Sequence, residues 1–410
     1  MNQMDKTKLQ TLKGFRDFLP QEARKRQFVI DTLKKVFESY GFEPIETPAL
    51  EYEEVLAGKY GDEGNKLMYR FTDNGDRRVA LRYDQTVPLA RVVAQYGDKL
   101  PMPFKRYQIQ PVWRAENPQK GRYREFVQCD IDTVGTASLV ADAEIIACTI
   151  TGIRKLGFRN LVMKINDRTI FEGIEPKYLG TLDKLEKIGK ESVVSELVEK
   201  GTSESEAQKL LDGMLKKEPT PQLKELFTLL EAYGLKQDND FEFSPTIVRG
   251  LDYYTGVIFE LVDSKNPALS LAGGGRYDNL IGIFSGRQIP AVGIAFGFDR
   301  IIETMDEAGF FPESTNSPAP KVLVTIFDKK LSLQSIKVSS LLRRAGLDVE
   351  LYSNEEDKLD KQLRYVNSRT IPYVIVIGPE EEKANKVVLK DMASGKQETL
   401  TLEEVKNKLE

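Results

Sequence analysis

Apolar positions change their period several times along the chain, and each change predicts a different element. Between Glu22 and Tyr40 they recur every three or four residues, as on one face of an amphipathic helix, and Gly41 predicts its end. The segment LMYRFTDNGDRRVALRYD alternates around Asn74 and Gly75, a dipeptide that favours a hairpin turn. A second strand–turn–strand pattern follows in YQIQPVWRAENPQKGRYREFVQCDIDTVG. The first part of the chain is therefore predicted to contain a helix and several antiparallel strands.

The middle and the end of the chain have a different texture. Residues 171–240 are charged and helix-like, and Ser203 and Glu206 stand at the spacing of a capping box. Strand-like texture returns in VRGLDYYTGVIFELV, and AVGIAFGFDRIIETM predicts a strand running into a helix. The segment PESTNSPAP predicts a linker over residues 312–320. Beyond it, strand-like and helix-like segments alternate over residues 321–410, which is typical of an α/β unit.

Length and composition set the broad class. A chain of 410 residues, with 30% charged and 40% hydrophobic residues, is long enough for two or three domains with cores of their own. No apolar run approaches the length of a membrane span, and the polar start MNQMDKTKLQTLKGFRDFLP lacks the apolar core of an export signal. We therefore expect a cytoplasmic protein with no membrane partner. The net charge of -4 argues against a general nucleic-acid coat, so any RNA binding has to use local patches.

The available side chains narrow the chemistry further. The chain contains no histidine, which excludes Ser–His and Cys–His catalysis and metal binding by histidine. Its two cysteines, Cys129 and Cys148, provide neither a disulfide framework nor a zinc-binding spacing. Any catalysis therefore relies on other groups.

One short stretch is unusually rich in cations. Six of them lie between Phe104 and Arg124, against the single carboxylate of Glu116: Lys105, Arg106, Arg114, Lys120, Arg122 and Arg124. A solvated hairpin tip is the structural alternative. However, Arg114 is predicted to lie on a strand, where a guanidinium is costly unless it is paired.

Two further arginines, Arg249 and Arg300, occur in strand-like contexts far away in the sequence. Together with Arg114 they could converge on one polyphosphate, because the arginine fork matches phosphate oxygens. No Walker loop and no dinucleotide fingerprint is present. If a nucleotide binds, arginines on an antiparallel sheet therefore hold it.

These segments resemble those of class II aminoacyl-tRNA synthetases, and specifically of the histidyl-tRNA synthetase family. YGFEPIETPALE is similar to the first class II motif, RAENPQKGRYREFVQCDID to the second and AVGIAFGFDR to the third. VRGLDYYTG and GGGRYDNL resemble the two histidine-specific signatures of the family. The resemblance implies an α+β catalytic domain built on an antiparallel sheet, in two parts at residues 1–170 and 241–311. Residues 171–240 would be a helical insertion and residues 321–410 an α/β anticodon-binding domain.

The resemblance also implies a role for each residue that matches a nucleotide-binding position. Arg114 would grip the α-phosphate and the amino-acid carboxylate. Glu116 would read the adenine amino group while Phe126 stacks on the adenine ring. Arg122 and Arg300 would hold the β- and γ-phosphates, which Mg²⁺ bridges, although the protein ligands of Mg²⁺ are left open.

The same resemblance places a histidine pocket beside the nucleotide. Arg249 would stabilise charge on the α-phosphate as the carboxylate attacks, so that Arg249 and Arg114 are the implied catalytic pair. An ammonium group needs a carboxylate, and an imidazole needs a carboxylate and hydroxyls. The implied histidine-binding residues are Asp84, Thr86, Arg114, Gln128, Asp132, Arg249, Tyr253, Tyr254 and Tyr277.

The function that the resemblance implies is histidine–tRNA ligation. The enzyme would activate histidine with ATP and transfer it to tRNA(His), as a homodimer that uses the first motif around Pro48. Two alternatives remain: a histidine-sensing regulatory paralogue of ATP phosphoribosyltransferase, and a non-catalytic tRNA-binding module. The first typically lacks the C-terminal domain and has eroded motifs, and the second would not need Arg114, Arg249 and Arg300.

Overall fold

The computed structural model describes residues 9–59, 61–119, 121–249, 253–316 and 320–409. The chain divides between Phe311 and Pro312 into two units, each with its own sheets and core. The boundary falls at the start of the predicted linker, of which residues 317–319 lie outside the described ranges and Glu313–Asn316 form a short helix.

The first unit contains a large sheet and a small one. The strands are β1 (Glu43–Pro44), β2 (Leu50–Tyr52), β3 (Arg70–Thr72), β4 (Arg78–Leu81), β5 (Phe104–Trp113), β6 (Glu125–Val134), β7 (Leu161–Asp167), β8 (Phe241–Phe243), β9 (Val257–Asp263), β10 (Asn266–Arg276) and β11 (Ala291–Phe296). Eight of them form the large sheet in the order β1-β5-β6-β11-β10-β9-β7-β8, and the small sheet has the order β2-β4-β3.

Antiparallel pairing dominates the large sheet, as expected for the implied fold class. Among the described strands of this sheet, only the edge pairs β1/β5 and β7/β8 are parallel. Strands β5 and β6 form the predicted second hairpin, in register from Phe104 opposite Val134 to Trp113 opposite Glu125. The predicted hairpin around Asn74 and Gly75 is also confirmed, because β3 and β4 pair antiparallel on either side of it.

Helices cover this framework. They are α1 (Pro20–Ser39), α2 (Glu53–Leu56), α3 (Gly61–Leu67), α4 (Thr86–Tyr96), α5 (Leu139–Lys155), α6 (Pro176–Leu182), α7 (Leu185–Glu199), α8 (Glu204–Leu215), α9 (Pro221–Ala232), α10 (Gly282–Ser285) and α11 (Phe298–Ala308). The capping box of Ser203 and Glu206 is present at the start of α8, where Ser203 Oγ accepts from Glu206 N at 3.3 Å. Helices α6 to α9 fill the predicted insertion between β7 and β8.

Two apolar clusters sit on this framework. The main one packs α1, α5 and α9 against the sheet around residues such as Phe37, Ile146 and Phe227. The second joins α4 to α6, α7 and α8 and reaches Tyr254 and Tyr277. The helical region between β7 and β8 therefore contributes to both clusters, α9 to the first and α6–α8 to the second.

The second unit is the predicted α/β unit with two additional strands. It contains α12 (Glu313–Asn316), α13 (Ser332–Arg344), α14 (Leu359–Ser368), α15 (Pro379–Ala384) and α16 (Leu402–Leu409), with β12 (Val322–Val324), β13 (Val349–Leu351), β14 (Tyr373–Val376), β15 (Val387–Asp391) and β16 (Gln397–Leu400). The order β13-β12-β14-β15-β16 is parallel over its first three strands and antiparallel beyond. No helix in the described ranges of either unit has the length and apolarity to cross a membrane.

Candidate active site

A cavity of about 960 Å³ opens on the large sheet of the first unit. Its walls come from β6, β10 and β11, from the starts of α4 and α11, and from the loop after β5. Every residue that the sequence indicated for ATP or histidine lines this cavity: Asp84, Thr86, Arg114, Glu116, Arg122, Phe126, Gln128, Asp132, Arg249, Tyr253, Tyr254, Tyr277 and Arg300. The fold thus brings together side chains that lie more than 200 positions apart in the sequence.

Arg114 lies at the first residue beyond β5 rather than on the strand, which corrects the prediction. Its Nε donates to the Tyr83 carbonyl at 3.1 Å. The guanidinium carbon stands 4.4 Å from the centroid of the Tyr83 ring and 5.1 Å from that of Phe126. These two aromatic faces support the cation without neutralising it. The guanidinium therefore keeps its positive charge available to an anion in the cavity.

The other two arginines are not on strands either. Arg249 precedes β9 in a loop, and Arg300 lies in the first turn of α11. The Nη1 of Arg249 pairs with Glu260 Oε1 at 3.1 Å, and the Nη1 of Arg300 donates to the Ser270 carbonyl at 2.6 Å. The strand texture of the flanking segments was correct, but the arginines follow or precede the strands.

The backbone of β10 lets Arg249 lie close to the sheet. A Cβ at Gly273 would overlap the Arg249 guanidinium, so that only glycine permits this approach. The cation consequently rests on the floor of the cavity instead of extending into solvent.

The hairpin turn between β5 and β6 forms one rim of the cavity. Gln119 and Arg122 exchange both main-chain hydrogen bonds, at 3.1 and 2.8 Å, which closes the turn. Arg122 Nη1 lies 3.8 Å from Glu116 Oε2 and is largely exposed. Such a loose pair is weak and opens easily for a ligand. Lys120, the remaining cation of this stretch, lies outside the described residues.

The opposite end of the cavity is polar and enclosed. Asp132 is buried on β6, where its carboxylate accepts from the Tyr277 hydroxyl and pairs with Arg106 Nη2 at 2.7 Å. Burial raises the pKa of Asp132, while Arg106 and the hydrogen bond from Tyr277 oppose that shift. Because Arg106 is itself buried, the pair is a fixed dipole within the protein.

Three tyrosines share this end. The Tyr253 ring lies 4.9 Å from that of Tyr254 and 5.8 Å from that of Tyr277, measured between centroids. Burial raises the pKa of all three hydroxyls, so they remain protonated donors at neutral pH. The residues just before them, 250–252, belong to the first histidine signature and lie outside the described ranges.

Polar side chains also face the cavity where α4 begins, next to the large sheet. Asp84 Oδ1 accepts from Val87 N at 3.1 Å, which fixes the carboxylate at the start of α4 beside Thr86. Gln85 Nε2 donates to the carbonyls of Gln110 and Gln128, at 2.9 and 3.2 Å, and ties this helix end to β5 and β6.

Gln128, on β6, contributes an amide to the same part of the cavity. Its Oε1 is buried and has no hydrogen-bond partner within the described part of the chain. A buried acceptor without a partner is costly, so this oxygen fits a donor supplied by a ligand, such as an ammonium group.

Sequence reasoning missed four charged residues of the cavity: Asp130, Lys187, Glu260 and Asp299. Asp299 directly precedes Arg300 in the third motif. Asp130 lies two positions from both Gln128 and Asp132 on β6, so the alternation of a strand could have revealed it. Burial raises its pKa well above the ordinary value, and the neighbouring Asp132 and Asp84 add to that effect.

Lys187 and Glu260 were harder to identify from the sequence. Lys187 reaches the cavity from α7, where no motif marked it. Glu260 lies on β9, and its pairing with Arg249 follows from the sheet rather than from sequence spacing.

The cavity combines several cations with an enclosed acid–tyrosine pocket, an arrangement suited to a phosphate-bearing substrate beside a small polar one. Known protein families match both units of the chain. The family described as "Histidyl-tRNA synthetase" matches residues 14–301, and the family described as "Anticodon binding domain" matches residues 321–410.

Individual relatives match along nearly the whole chain. A histidine–tRNA ligase of Cytophaga hutchinsonii is 40% identical over 448 aligned positions, which cover 97% of this chain and 98% of the relative. One of Gloeobacter violaceus is 40% identical over 455 positions and covers 96% of this chain and 97% of its own length. The crystal structure of histidyl-tRNA synthetase from a Nostoc species is similar with a TM-score of 0.81 and 33% identity, over 98% of this chain and 99% of that one. The chain therefore belongs to the histidyl-tRNA synthetase family.

Proposed function

We propose that this chain is a histidine–tRNA ligase, which activates histidine with ATP and transfers it to tRNA(His). One observation carries the proposal: the three arginines and the acid–tyrosine pocket line one cavity. A phosphate-binding end beside an imidazole-sized polar end is what the joining of histidine to a nucleotide requires.

In the first step the histidine carboxylate attacks the α-phosphorus of ATP. A carboxylate–phosphate bond forms, the bond to the β-phosphate bridging oxygen breaks, and pyrophosphate leaves with the electron pair. No proton has to be transferred, so positioned charge is sufficient. Arg114 and Arg249 are the cations proposed to stabilise the charge that develops at the α-phosphate.

ATP is proposed to enter as its magnesium complex, with Mg²⁺ as part of the substrate. No group of three metal-binding side chains occurs within the described residues, so the phosphates would supply most of the ligands. Glu260 lies in the cavity and provides a carboxylate of the kind that Mg²⁺ prefers. Bound there, Mg²⁺ would neutralise phosphate charge. Arg122 and Arg300 would hold the β- and γ-phosphates, and Glu116 and Phe126 the adenine.

Selection of histidine is proposed to depend on the enclosed end. Asp132 can accept from one ring nitrogen while Tyr254 or Tyr277 meets the other, and Asp84, Thr86 and Gln128 surround the ammonium group. A site of this kind discriminates strongly, by roughly 10⁴-fold or more, because an analogue that lacks the ring nitrogens leaves buried polar groups unpaired.

Transfer to tRNA is proposed to involve the remaining regions. Residues 321–410 match an anticodon-binding family, which supports a role for the second unit in binding tRNA(His). We propose residues 1–170 and 241–311 as the catalytic domain, residues 171–240 as its helical insertion and residues 312–320 as the linker. The cytoplasm, where translation takes place, is the proposed location.

A homodimer is proposed as the functional form. The small sheet next to the first motif carries Leu50, Tyr52 and Phe71, all of them exposed apolar side chains. A second copy of the chain would cover them. Sedimentation at micromolar concentration should give a mass of about two chains, and a mass of one chain would contradict the dimer.

The decisive experiment is ATP–pyrophosphate exchange, measured separately with each standard amino acid. Exchange that depends on histidine alone is expected. Histidine binding without exchange would instead favour the regulatory paralogue, and tRNA binding with neither would favour the non-catalytic module.

A further inference from the structure

The segment of residues 12–18, which we name the N-terminal brace, leads into α1 without forming a helix or a strand of its own. Its backbone hydrogen bonds and ion pair reach the hairpin turn between β5 and β6 and the start of α11, while Phe15 also packs on Tyr69. These are the two elements that carry Glu116, Arg122 and Arg300. The brace thus connects both proposed phosphate-binding elements without itself lining the cavity within its described positions.

Arg124 is the point where the brace meets the hairpin. Its backbone N donates to the Gly14 carbonyl at 2.9 Å, and its own carbonyl accepts from Arg114 N at 2.9 Å. Its Nε donates to the Glu116 carbonyl at 2.9 Å. Arg114 and Glu116 are therefore each one hydrogen bond away from a residue that the brace holds.

Gly14 is required for this contact by its conformation and by the available space. Its φ of +89° lies in the left-handed region, and a Cβ there would lie 2.8 Å from Arg124 Cγ. Any larger residue would have to push Arg124 away from the position in which it bonds Glu116.

Arg16 extends the brace to α11. Its Nη2 pairs with Asp299 Oδ1 at 2.8 Å, in the first turn of the helix and next to Arg300. The guanidinium carbon also lies 3.2 Å from the centroid of the Tyr123 ring, and the Tyr123 hydroxyl donates to Glu303 Oε1 at 2.7 Å. One cation therefore links the hairpin turn to the helix.

We propose that the N-terminal brace positions the ATP-binding half of the cavity and that Gly14 and Arg16 are its positioning residues. The inference rests on the proposed function, because it concerns how the same site holds ATP. Apart from Arg114, which is proposed to contact both substrates, the histidine pocket is held by other elements, since Asp132 is fixed on β6 by Arg106 and Tyr277. Damage to the brace should therefore affect ATP far more than histidine.

Gly14→Ala is the direct test, with Gly234→Ala as the matched control. Gly234 also has a left-handed φ, +78°, but nothing lies within 4 Å of a Cβ placed there. Both variants place alanine at a left-handed φ, and only the first displaces Arg124. In pyrophosphate exchange we expect Gly14→Ala to raise the KM for ATP between about tenfold and 10²-fold, the effect of a small misplacement of binding groups. The KM for histidine should change much less, because Arg114 is the one histidine-binding residue that the brace reaches through Arg124.

Arg16 provides a second route that leaves the backbone intact. Arg16→Gln removes both the ion pair and the stacked cation, whereas Arg26 still pairs with Asp299 at 2.6 Å and keeps α11 anchored. The KM for ATP should rise again, and Arg16→Lys should restore part of the loss because it returns the charge but not the planar stack. Thermal unfolding of each variant checks that the fold survives.

The possible results distinguish failure of the brace proposal from failure of the proposed function. An unchanged KM for ATP in folded Gly14→Ala and Arg16→Gln would overturn the proposal, and so would equal increases for ATP and histidine, which indicate a merely structural role. If the parent protein shows no histidine-dependent exchange, the proposed function fails instead. Calorimetric binding of magnesium–ATP to the parent and the variants then decides the role of the brace on its own.

Discussion

Replacement of Arg249 by glutamine is the sharpest test of the proposed chemistry. The substitution keeps a polar side chain of similar length but removes the charge that lies over β10. It disrupts one observed ion pair, with Glu260 at 3.1 Å, and leaves the packing around Gly273 free of overlap.

The structure allows the expected loss of folding stability to be compared with the expected loss of catalytic rate. The side chains of Arg249 and Glu260 are 26% and 22% exposed, so loss of the pair should cost about 0–1 kcal/mol of folding stability. Loss of a positioned charge at a reacting centre costs about 2.7–4 kcal/mol of transition-state stabilisation, or roughly 10²–10³ in rate. The catalytic effect should therefore greatly exceed the structural one.

The assay is histidine-dependent pyrophosphate exchange together with thermal unfolding. Arg78→Gln is a suitable control, because Arg78 also forms a partly exposed ion pair, with Glu53 at 2.9 Å, and lies outside the cavity lining. We expect both variants to unfold close to the parent temperature, and only Arg249→Gln to lose exchange. Near-normal exchange by a folded Arg249→Gln variant would refute the role given to this arginine.

Two other predictions test neighbouring parts of the site. Asp132→Asn should raise the KM for histidine far more than that for ATP and should lower stability, because buried Arg106 loses its counter-charge; parallel changes in both KM values would make Asp132 a scaffold residue. Because burial raises the pKa of Asp130 well above 3.8, the folded state holds this proton more tightly and stability falls as pH rises above that value. Asp130→Asn should therefore raise the unfolding temperature more at neutral pH than at about pH 4, and a constant gain would contradict this.

The local elements were predictable because their signals are local. An alternating pattern around Asn74 and Gly75 specifies a hairpin within about ten residues, and β3 and β4 form it. The three- and four-residue period after Glu22 specifies a helix in the same way, and α1 is present. Such patterns depend only on neighbouring positions, so they can be recognised without knowledge of the fold.

The order of the strands in the large sheet could not be predicted from such local patterns. β6 pairs with β11, and this places Gly293 opposite Asp132 although the two are far apart in the chain. The strand contexts assigned to Arg249 and Arg300 were wrong for a related reason. Their flanking sequences do form strands, but Arg249 lies in the loop before β9 and Arg300 in the first turn of α11, where a side chain can turn toward the cavity.

The convergence of Arg114, Arg249 and Arg300 on one anion could be proposed from the chemistry of arginine, but the rest of the cavity was predictable only through the resemblance. Motif residues mark positions that the chemistry requires, and all of those identified line one cavity. Residues that support the site indirectly escape this reasoning. Arg16 reaches Asp299 across more than 280 positions, and only the folded structure shows that the two meet.

The absence of histidine limits how the second step can proceed. The terminal hydroxyl of the tRNA must lose a proton as it attacks the histidyl carbonyl, and no imidazole of the protein is present to accept it. Three acceptors remain: a phosphate oxygen of the adenylate, a carboxylate and water. Asp132 already pairs with Arg106 and accepts a hydrogen bond from Tyr277, which makes it a poor base. The phosphate oxygen is part of the leaving group and gains basicity as the bond to the carbonyl breaks, so among these acceptors it requires no additional protein group.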